Sequence, residues 1–220
     1  MPLIDLTLPV QETPRYQELV TVEVIERALK FSNGAYTGVM YKISHSSMVG
    51  TYFDFPGHIK ETDDGADSDN YPLDKLVNVK AAVIHLDRES RSGEVGAREL
   101  AAACPPIADC GAIIINALGH RRFDAIKEHT VWLSLDAGRW IIDQGVHLVV
   151  SDIYESRPEL TGVFYELFNA KISAVCWPIN LHLLTTPYVK LTALPMRLKG
   201  VAQLPCRLIA ELISHTAPLQ

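Results

Sequence analysis

Four short stretches of this chain are almost unbroken runs of apolar residues: Val79-Lys-Ala-Ala-Val-Ile-His-Leu86, Gly111-Ala-Ile-Ile-Ile-Asn116, His147-Leu-Val-Val-Ser-Asp152 and Ile172-Ser-Ala-Val-Cys176. Runs of this length, rich in β-branched residues, read as strands buried on both faces. Segments with helical punctuation lie between them. Gly96–Cys104 is stopped by Pro105-Pro106, Ser134–Gly145 has an N-cap serine and a terminal glycine, and Val163–Ala170 continues the pattern. Strand, helix and strand in succession restrict the fold to an α/β core. With 220 residues, no internal repeat and no long linker, one domain spanning 1–220 is expected.

The flanks read less sharply. Leu3–Leu8 alternates as a first strand, and Pro9 and Pro14 put a loop after it. Val20–Val24 also alternates and is expected as strand, although Glu26-Arg-Ala-Leu-Lys30 has helix-forming composition. Ser32-Asn-Gly34 signals a turn before the strand Thr37–Ser44. The acidic run Glu61–Asn70 reads as a solvated loop, with a lid as the functional alternative. In the tail, Val189–Leu194, Arg197–Ala202 and Arg207–Leu212 are expected as strands.

A formal net charge of -6 and the lack of a Lys/Arg stripe argue against nucleic acid or an anionic membrane as partner. No apolar run approaches the roughly 20 residues of a membrane span, and Met1-Pro-Leu-Ile-Asp-Leu has no basic segment leading into an apolar core, so a cytoplasmic location is expected. Cys104, Cys110, Cys176 and Cys206 are widely spaced and read as reduced core thiols.

The most informative stretch for function is Ser44-His-Ser-Ser-Met-Val-Gly-Thr-Tyr-Phe-Asp-Phe-Pro-Gly-His58. It gathers His45, Tyr52, Asp54 and His58 in a segment broken by Gly50, Pro56 and Gly57. A strand ending in a loop of this kind is where chemistry is displayed on a rigid scaffold.

Together with Ile4-Asp-Leu-Thr, Tyr71-Pro-Leu-Asp-Lys-Leu-Val77, Leu133-Ser-Leu-Asp-Ala137, Val150-Ser-Asp152 and Ala193-Leu-Pro-Met-Arg-Leu-Lys-Gly200, this stretch resembles the cyclase family of metal-dependent hydrolases, which includes bacterial kynurenine formamidase and isatin hydrolase. The resemblance covers nearly the whole chain. It implies a swivelling β/β/α fold, a mixed, barrel-like β core flanked by helices, and a homodimer or higher homo-oligomer with the pocket near the interface. The family motif His-x-Gly-Thr-His-x-Asp-x-Pro-x-His supplies metal ligands, and a helix histidine and a later glutamate complete the set. Here Met48 and Tyr52 stand at the two ligand histidines of the motif, and Phe164 and Cys176 at the later pair. Of five expected ligands only Asp54 is retained. The expectation is therefore a protein with no metal and no other cofactor, since His45 is displaced by an odd number of residues.

His58 matches the family's acid/base histidine. With Asp54 and Tyr52 it suits proton transfer, enolisation, elimination or ring closure, which need an imidazole, a carboxyl group and a hydrogen-bonding phenol. The favoured reading is a metal-independent enzyme acting on a small carbonyl-containing specialised metabolite. A residual hydrolase of amides, lactones or esters and a non-catalytic binding protein stay open. So does a purely structural role, with Asp54 capping the loop and His58 merely satisfied. Met48, His120, Asp152, Tyr154, Phe164 and Cys176 are expected to contact the substrate, Asp152 with a turn-forming role as its alternative, and Glu155 to line the same cavity. Glu166 is expected to face solvent, His129 and His147 read as surface or core residues, and Ser46 or Ser47 has no activating motif.

Overall fold

A computed structural model describes residues 2–10, 20–86, 88–122, 125–126, 128–155 and 160–213. The loop expected around Pro14 lies outside these. The strands are β1 (Leu3–Asp5), β2 (Thr21–Phe31), β3 (Gly34–Ser44), β4 (Tyr52–Asp54), β5 (Val79–His85), β6 (Gly93–Val95), β7 (Ala112–Asn116), β8 (Val131–Leu133), β9 (Leu148–Ser151), β10 (Ser173–Cys176), β11 (Tyr188–Pro195) and β12 (Gln203–Leu212). The helices are α1 (Ala97–Ala103), α2 (Leu135–Asp143) and α3 (Val163–Asn169).

The four apolar runs become β5, β7, β9 and β10, parallel neighbours in that order. Every residue of β7, β9 and β10 is buried, which explains why their sequences do not alternate. Antiparallel β11 and β12 extend the sheet from β5, and β4 pairs with both β10 and β12. Those contacts close seven strands into a barrel-like core, with β1 attached to the outer side of β12. The architecture is the mixed α/β one expected from the sequence.

Residues of β4, β5, β7, β9 and β10 divide between two apolar cores. Ile114, Val150, Val175, Phe53 and Leu208 pack together on one face. Ile113, Val149 and Ala174 pack on the other face against Leu100, Ile141 and Phe168 of the helices. The helix α2 begins where Ser134 Oγ accepts the amide hydrogen of Ala137 at 3.3 Å, the cap anticipated from its sequence.

Several expectations need correction. Ser44–His58 is not a continuous loop, because Tyr52–Asp54 within it is a fully buried core strand. The first strand ends at Asp5 rather than Leu8, and the chain continues through a single bridge between Thr7 and Pro178. Glu26–Lys30 needs no correction: despite its helical composition it belongs to the expected strand, extended within β2 and paired residue for residue with β3. Arg197–Ala202 is a turn, not a strand: Gly200 adopts φ 77°, its N–H donates to Asp67 Oδ2 at 2.7 Å, and Arg197 pairs with Asp69. The short parallel pair β6 and β8 had no forecast.

The acidic run is a folded turn built from aspartate side chains, with Asp67 Oδ1 accepting the amides of Asp69 at 2.8 Å and Asn70 at 3.0 Å. None of its residues lines the main cavity, so the lid alternative gains no support. The β2–β3 hairpin projects from the body, with nearly every residue exposed and apolar side chains on both faces. Among the described residues no helix is long and apolar enough to cross a membrane.

Candidate active site

The site begins where the chain leaves β3 and turns sharply into β4. Gly50 adopts φ 61°, and a Cβ there would sit 2.6 Å from Leu8 O, so both backbone conformation and space demand glycine. Thr51 follows as a buried tie: its Oγ1 accepts the Leu8 amide at 2.7 Å and donates to Trp177 O at 2.7 Å. The chain is thus fixed before it enters the strand that carries the candidate chemistry.

Within β4, Tyr52 and Asp54 point to the helix side of the sheet and Phe53 to the opposite core. Tyr52 lies opposite Cys176 of β10, and Asp54 opposite Gln203 of β12. Helix α3 covers this face. Between them is a cavity of about 620 Å³ whose walls include Tyr52, Asp54, His58, Cys176, Trp177 and Phe164. That volume suits a small organic molecule.

Asp54 is buried, and both its oxygens are engaged. Gln203 Nε2 donates to Oδ1 at 2.7 Å, and the Cys176 thiol donates to Oδ2 at 3.5 Å. Loss of solvation outweighs these bonds and pushes the carboxyl pKa up to about 7. Gln203 Nε2 also lies 3.3 Å from His58 Nε2, and its Oε1 accepts from Ser47 Oγ at 2.5 Å. The amide therefore bridges the carboxyl group and the imidazole. His58 stands at the rim on the turn Pro56–His58, partly open to solvent, and desolvation of its inner side lowers its pKa.

Burial raises the Cys176 thiol well above its ordinary value, with Asp54 adding to the effect and a Tyr52 hydrogen bond opposing it. It is a poor nucleophile in this state. Tyr154 lines the cavity with its ring stacked on Phe164 at 4.7 Å, but its hydroxyl donates into the core, 2.8 Å from Val175 O. Asp152 borders the cavity while its carboxylate accepts the Ala117 and Leu118 amides at 2.9 Å each. Desolvation nevertheless raises its pKa to about 7. The turn-forming role weighed for Asp152 is directly visible in these bonds.

Met48 also lines the cavity, so eight of the nine expected site residues converge there. His120 does not. It sits beyond Asp152 in a separate small recess, its ring 4.4 Å from that of His182. His45 turns its Nδ1 to Ser46 O at 2.6 Å on the exposed approach, and Glu166 pairs with Arg139 at the surface. Ser47 Oγ is hydrogen-bonded to Gln203 Oε1. His147 is structural, with its Nε2 3.1 Å from Lys75 O.

His129, read as a surface or core residue, borders the cavity, as do Glu128 and Glu155. Sequence reasoning missed Glu128 and Trp177 of the lining and, beside Asp54, Gln203. Its signal was weak: a single amide at the start of a tail strand becomes meaningful only once that strand pairs with β4.

The divalent metal implied by the resemblance does not fit these residues. Gln203 and Cys176 engage the two oxygens of Asp54, and the other four expected ligand positions carry the thioether of Met48, the phenol of Tyr52, the phenyl ring of Phe164 and the protonated thiol of Cys176. Among the described residues no group of three histidine, cysteine or carboxylate side chains is placed to hold a metal ion.

The same architecture is found in solved proteins. An isatin hydrolase A from Labrenzia aggregata, bound to benzyl benzoate, superposes with a TM-score of 0.74 at 18% identity, covering 97% of this chain and 94% of that one. A protein described as a predicted metal-dependent hydrolase from Bacillus stearothermophilus gives 0.71 at 21% identity, with coverage of 95% and 97%. An isatin hydrolase A from Ralstonia solanacearum gives 0.72 at 18% identity, with coverage of 96% and 92%. At these identities the likeness establishes the fold alone. Comparison with curated protein sequences gives no match. Residues 4–156 match the model described as "Cyclase: Putative cyclase", and the chain belongs to this putative cyclase family.

Proposed function

We propose that the cavity carries out metal-independent acid/base chemistry on a small carbonyl compound, such as cyclisation, dehydration or isomerisation in a specialised biosynthetic pathway of the cytoplasm. The observation that carries this reading is the pairing of Asp54 and His58 through one Gln203 amide. Their environments push the two groups in directions that suit opposite roles. With its pKa near 7, Asp54 retains a proton on a substantial fraction of molecules at neutral pH. His58, lowered from 6.5, is then mainly neutral and able to accept one.

In an enolisation, His58 takes the proton next to the substrate carbonyl while Asp54 gives its own to the carbonyl oxygen. The C–H bonding pair becomes the new C=C bond, and the former C=O becomes an enol. Returning a proton to a different carbon isomerises the substrate. Tyr52, which hydrogen-bonds Cys176, adds a phenol to the same wall. Activating water is harder for this set, because an unassisted water has a pKa near 15.7.

The test is turnover of candidate carbonyl substrates with and without chelator. Activity insensitive to chelator, and reduced at least about tenfold in both Asp54→Asn and His58→Ala, is expected. Full activity in His58→Ala overturns the assignment. The hydrolase reading, favoured by the isatin hydrolases that share the fold, instead requires hydrolysis stimulated by added zinc or manganese. Binding without turnover, little changed in both variants, identifies a binding protein.

A further inference from the structure

We propose that the small recess beyond Asp152 is a metal site in which His120, His182 and Asn116 Oδ1 hold one copper(II) or nickel(II) ion. It lies where the chain leaves β7 and meets the turn Leu181–Leu183. The centres of the two imidazole rings are 4.4 Å apart, with planes inclined by 49°. A metal–nitrogen bond of about 2.1 Å puts a ring centre about 3.2 Å from the ion, so imidazoles at a right angle have centres about 4.5 Å apart and tetrahedral ones about 5.2 Å apart. The separation found here matches the right angle, the arrangement that copper(II) and nickel(II) favour.

Asn116 points to a ligand independently. Its side chain is only 3% exposed, and its Oδ1 has no hydrogen-bond partner among the described residues. His85 fixes which end of the amide is left for the recess. The His85 Nε2 donates to Leu184 O at 2.8 Å, which leaves Nδ1 to accept from Asn116 Nδ2 at 3.0 Å. The amide oxygen is therefore the end that needs a partner, and burial without one is costly. The space is about 20 Å³, enough for one ion or water and too small for an organic molecule. Glu89 adds a negative charge beside the pair, its Oε1 accepting the His120 amide at 3.1 Å. Arg121 and Arg122 share the rim, so binding comes from the imidazole lone pairs rather than from net charge, which disfavours calcium and magnesium. Among the described residues no third histidine, cysteine or carboxylate is in place to join the two imidazoles, and water fills the remaining positions. Zinc is held more loosely than copper by such donors and leaves on desalting.

The experiment titrates the whole protein with copper(II), nickel(II) and zinc(II) salts by calorimetry and examines the copper complex by electron paramagnetic resonance. One equivalent of copper(II) is expected to bind with micromolar affinity and to show splitting from two imidazole nitrogens, with nickel weaker and zinc weakest. His120→Ala and His182→Ala should each weaken copper binding at least about tenfold, while Asp54→Asn leaves it unchanged. Circular dichroism checks that each variant is folded. Affinity unchanged in both histidine variants marks an adventitious ion only and overturns the proposal. So does loss of binding in Asp54→Asn, tighter binding of zinc than of copper, or no binding at millimolar metal. Turnover plays no part in the readout, so the result stands apart from the acid/base reading of the main cavity.

Discussion

Gln203 donates to Asp54 across 2.7 Å although 149 positions separate the two in the chain. Their Cα atoms are directly paired in the β4–β12 ladder, so the bond is held by backbone register rather than by a flexible loop. Removing the amide with Gln203→Leu should leave substrate affinity nearly intact and lower kcat at least about tenfold. The lost hydrogen bond also lets the Asp54 pKa rise further, so the alkaline limb of the rate profile should move to higher pH. Unchanged kcat and an unmoved limb would remove Gln203 from the mechanism.

The pH dependence of kcat/KM should be bell-shaped and narrow. Activity rises with pH as His58 loses its proton below 6.5, and falls as Asp54 loses its proton near 7. Any residual activity of Asp54→Asn should lack the falling limb. A wild-type plateau extending to pH 9 contradicts the acid role of Asp54.

Stability should carry the signature of the same carboxyl group. Because its pKa rises on folding from 3.8 to about 7, the folded protein binds a proton between these values that the unfolded chain has released. The protection conferred by this proton is fully present below pH 3.8, declines as pH rises through that window, and is gone above about 7. Asp54→Asn should therefore be more stable than wild type at pH 8, by roughly 2–4 kcal/mol, with the difference shrinking towards pH 5. Asp152 contributes a slope of the same sign to both proteins, so the comparison between them isolates Asp54. Equal denaturation midpoints at pH 8 would count against a buried, uncharged carboxyl.

The β2–β3 hairpin is where a second copy of the chain is predicted to pack. An isolated two-stranded hairpin is at best marginal in water, yet Val24, Tyr41, Val22 and Ile43 present a continuous apolar patch on one face. A second copy of the chain is the expected cover. Light scattering should give a dimer or a larger symmetric assembly, and Val24→Lys/Tyr41→Lys should shift it towards monomer. A monomeric wild type at tens of micromolar would sink this reading.

Metal content provides a separate check. Protein purified with added zinc or manganese and then desalted is expected to retain well under one equivalent. One tightly held equivalent, lost in Asp54→Asn, would show that the thiol and phenol serve as ligands after all.

The core was legible because burial on both faces leaves a plain mark: β5, β7, β9 and β10 are continuous apolar runs, and Ser134 announces its helix. Strand β4 was hidden for a physical reason. Three residues flanked by Gly50 and Pro56 resemble a loop, and their extended state comes from two ladders made with distant segments. Arg197–Ala202 misled in the opposite sense, since bonds from the acidic turn override its alternation. At the site, Asp54, Tyr52 and His58 could be found from local pattern, whereas Gln203 and the cavity-facing position of His129 depend on tertiary pairing. His120 was misplaced because the end of β7 faces a second recess.

The strand that closes the barrel is also the strand that carries Tyr52 and Asp54. Its main chain behaves as a clasp, and positions 52, 176 and 203 are sockets held around it by the two ladders. Side chains in such sockets can be exchanged without relocating one another, because the clasp must stay fastened for the chain to fold. The spacing between the three positions is therefore set by the two ladders before any side chain is chosen.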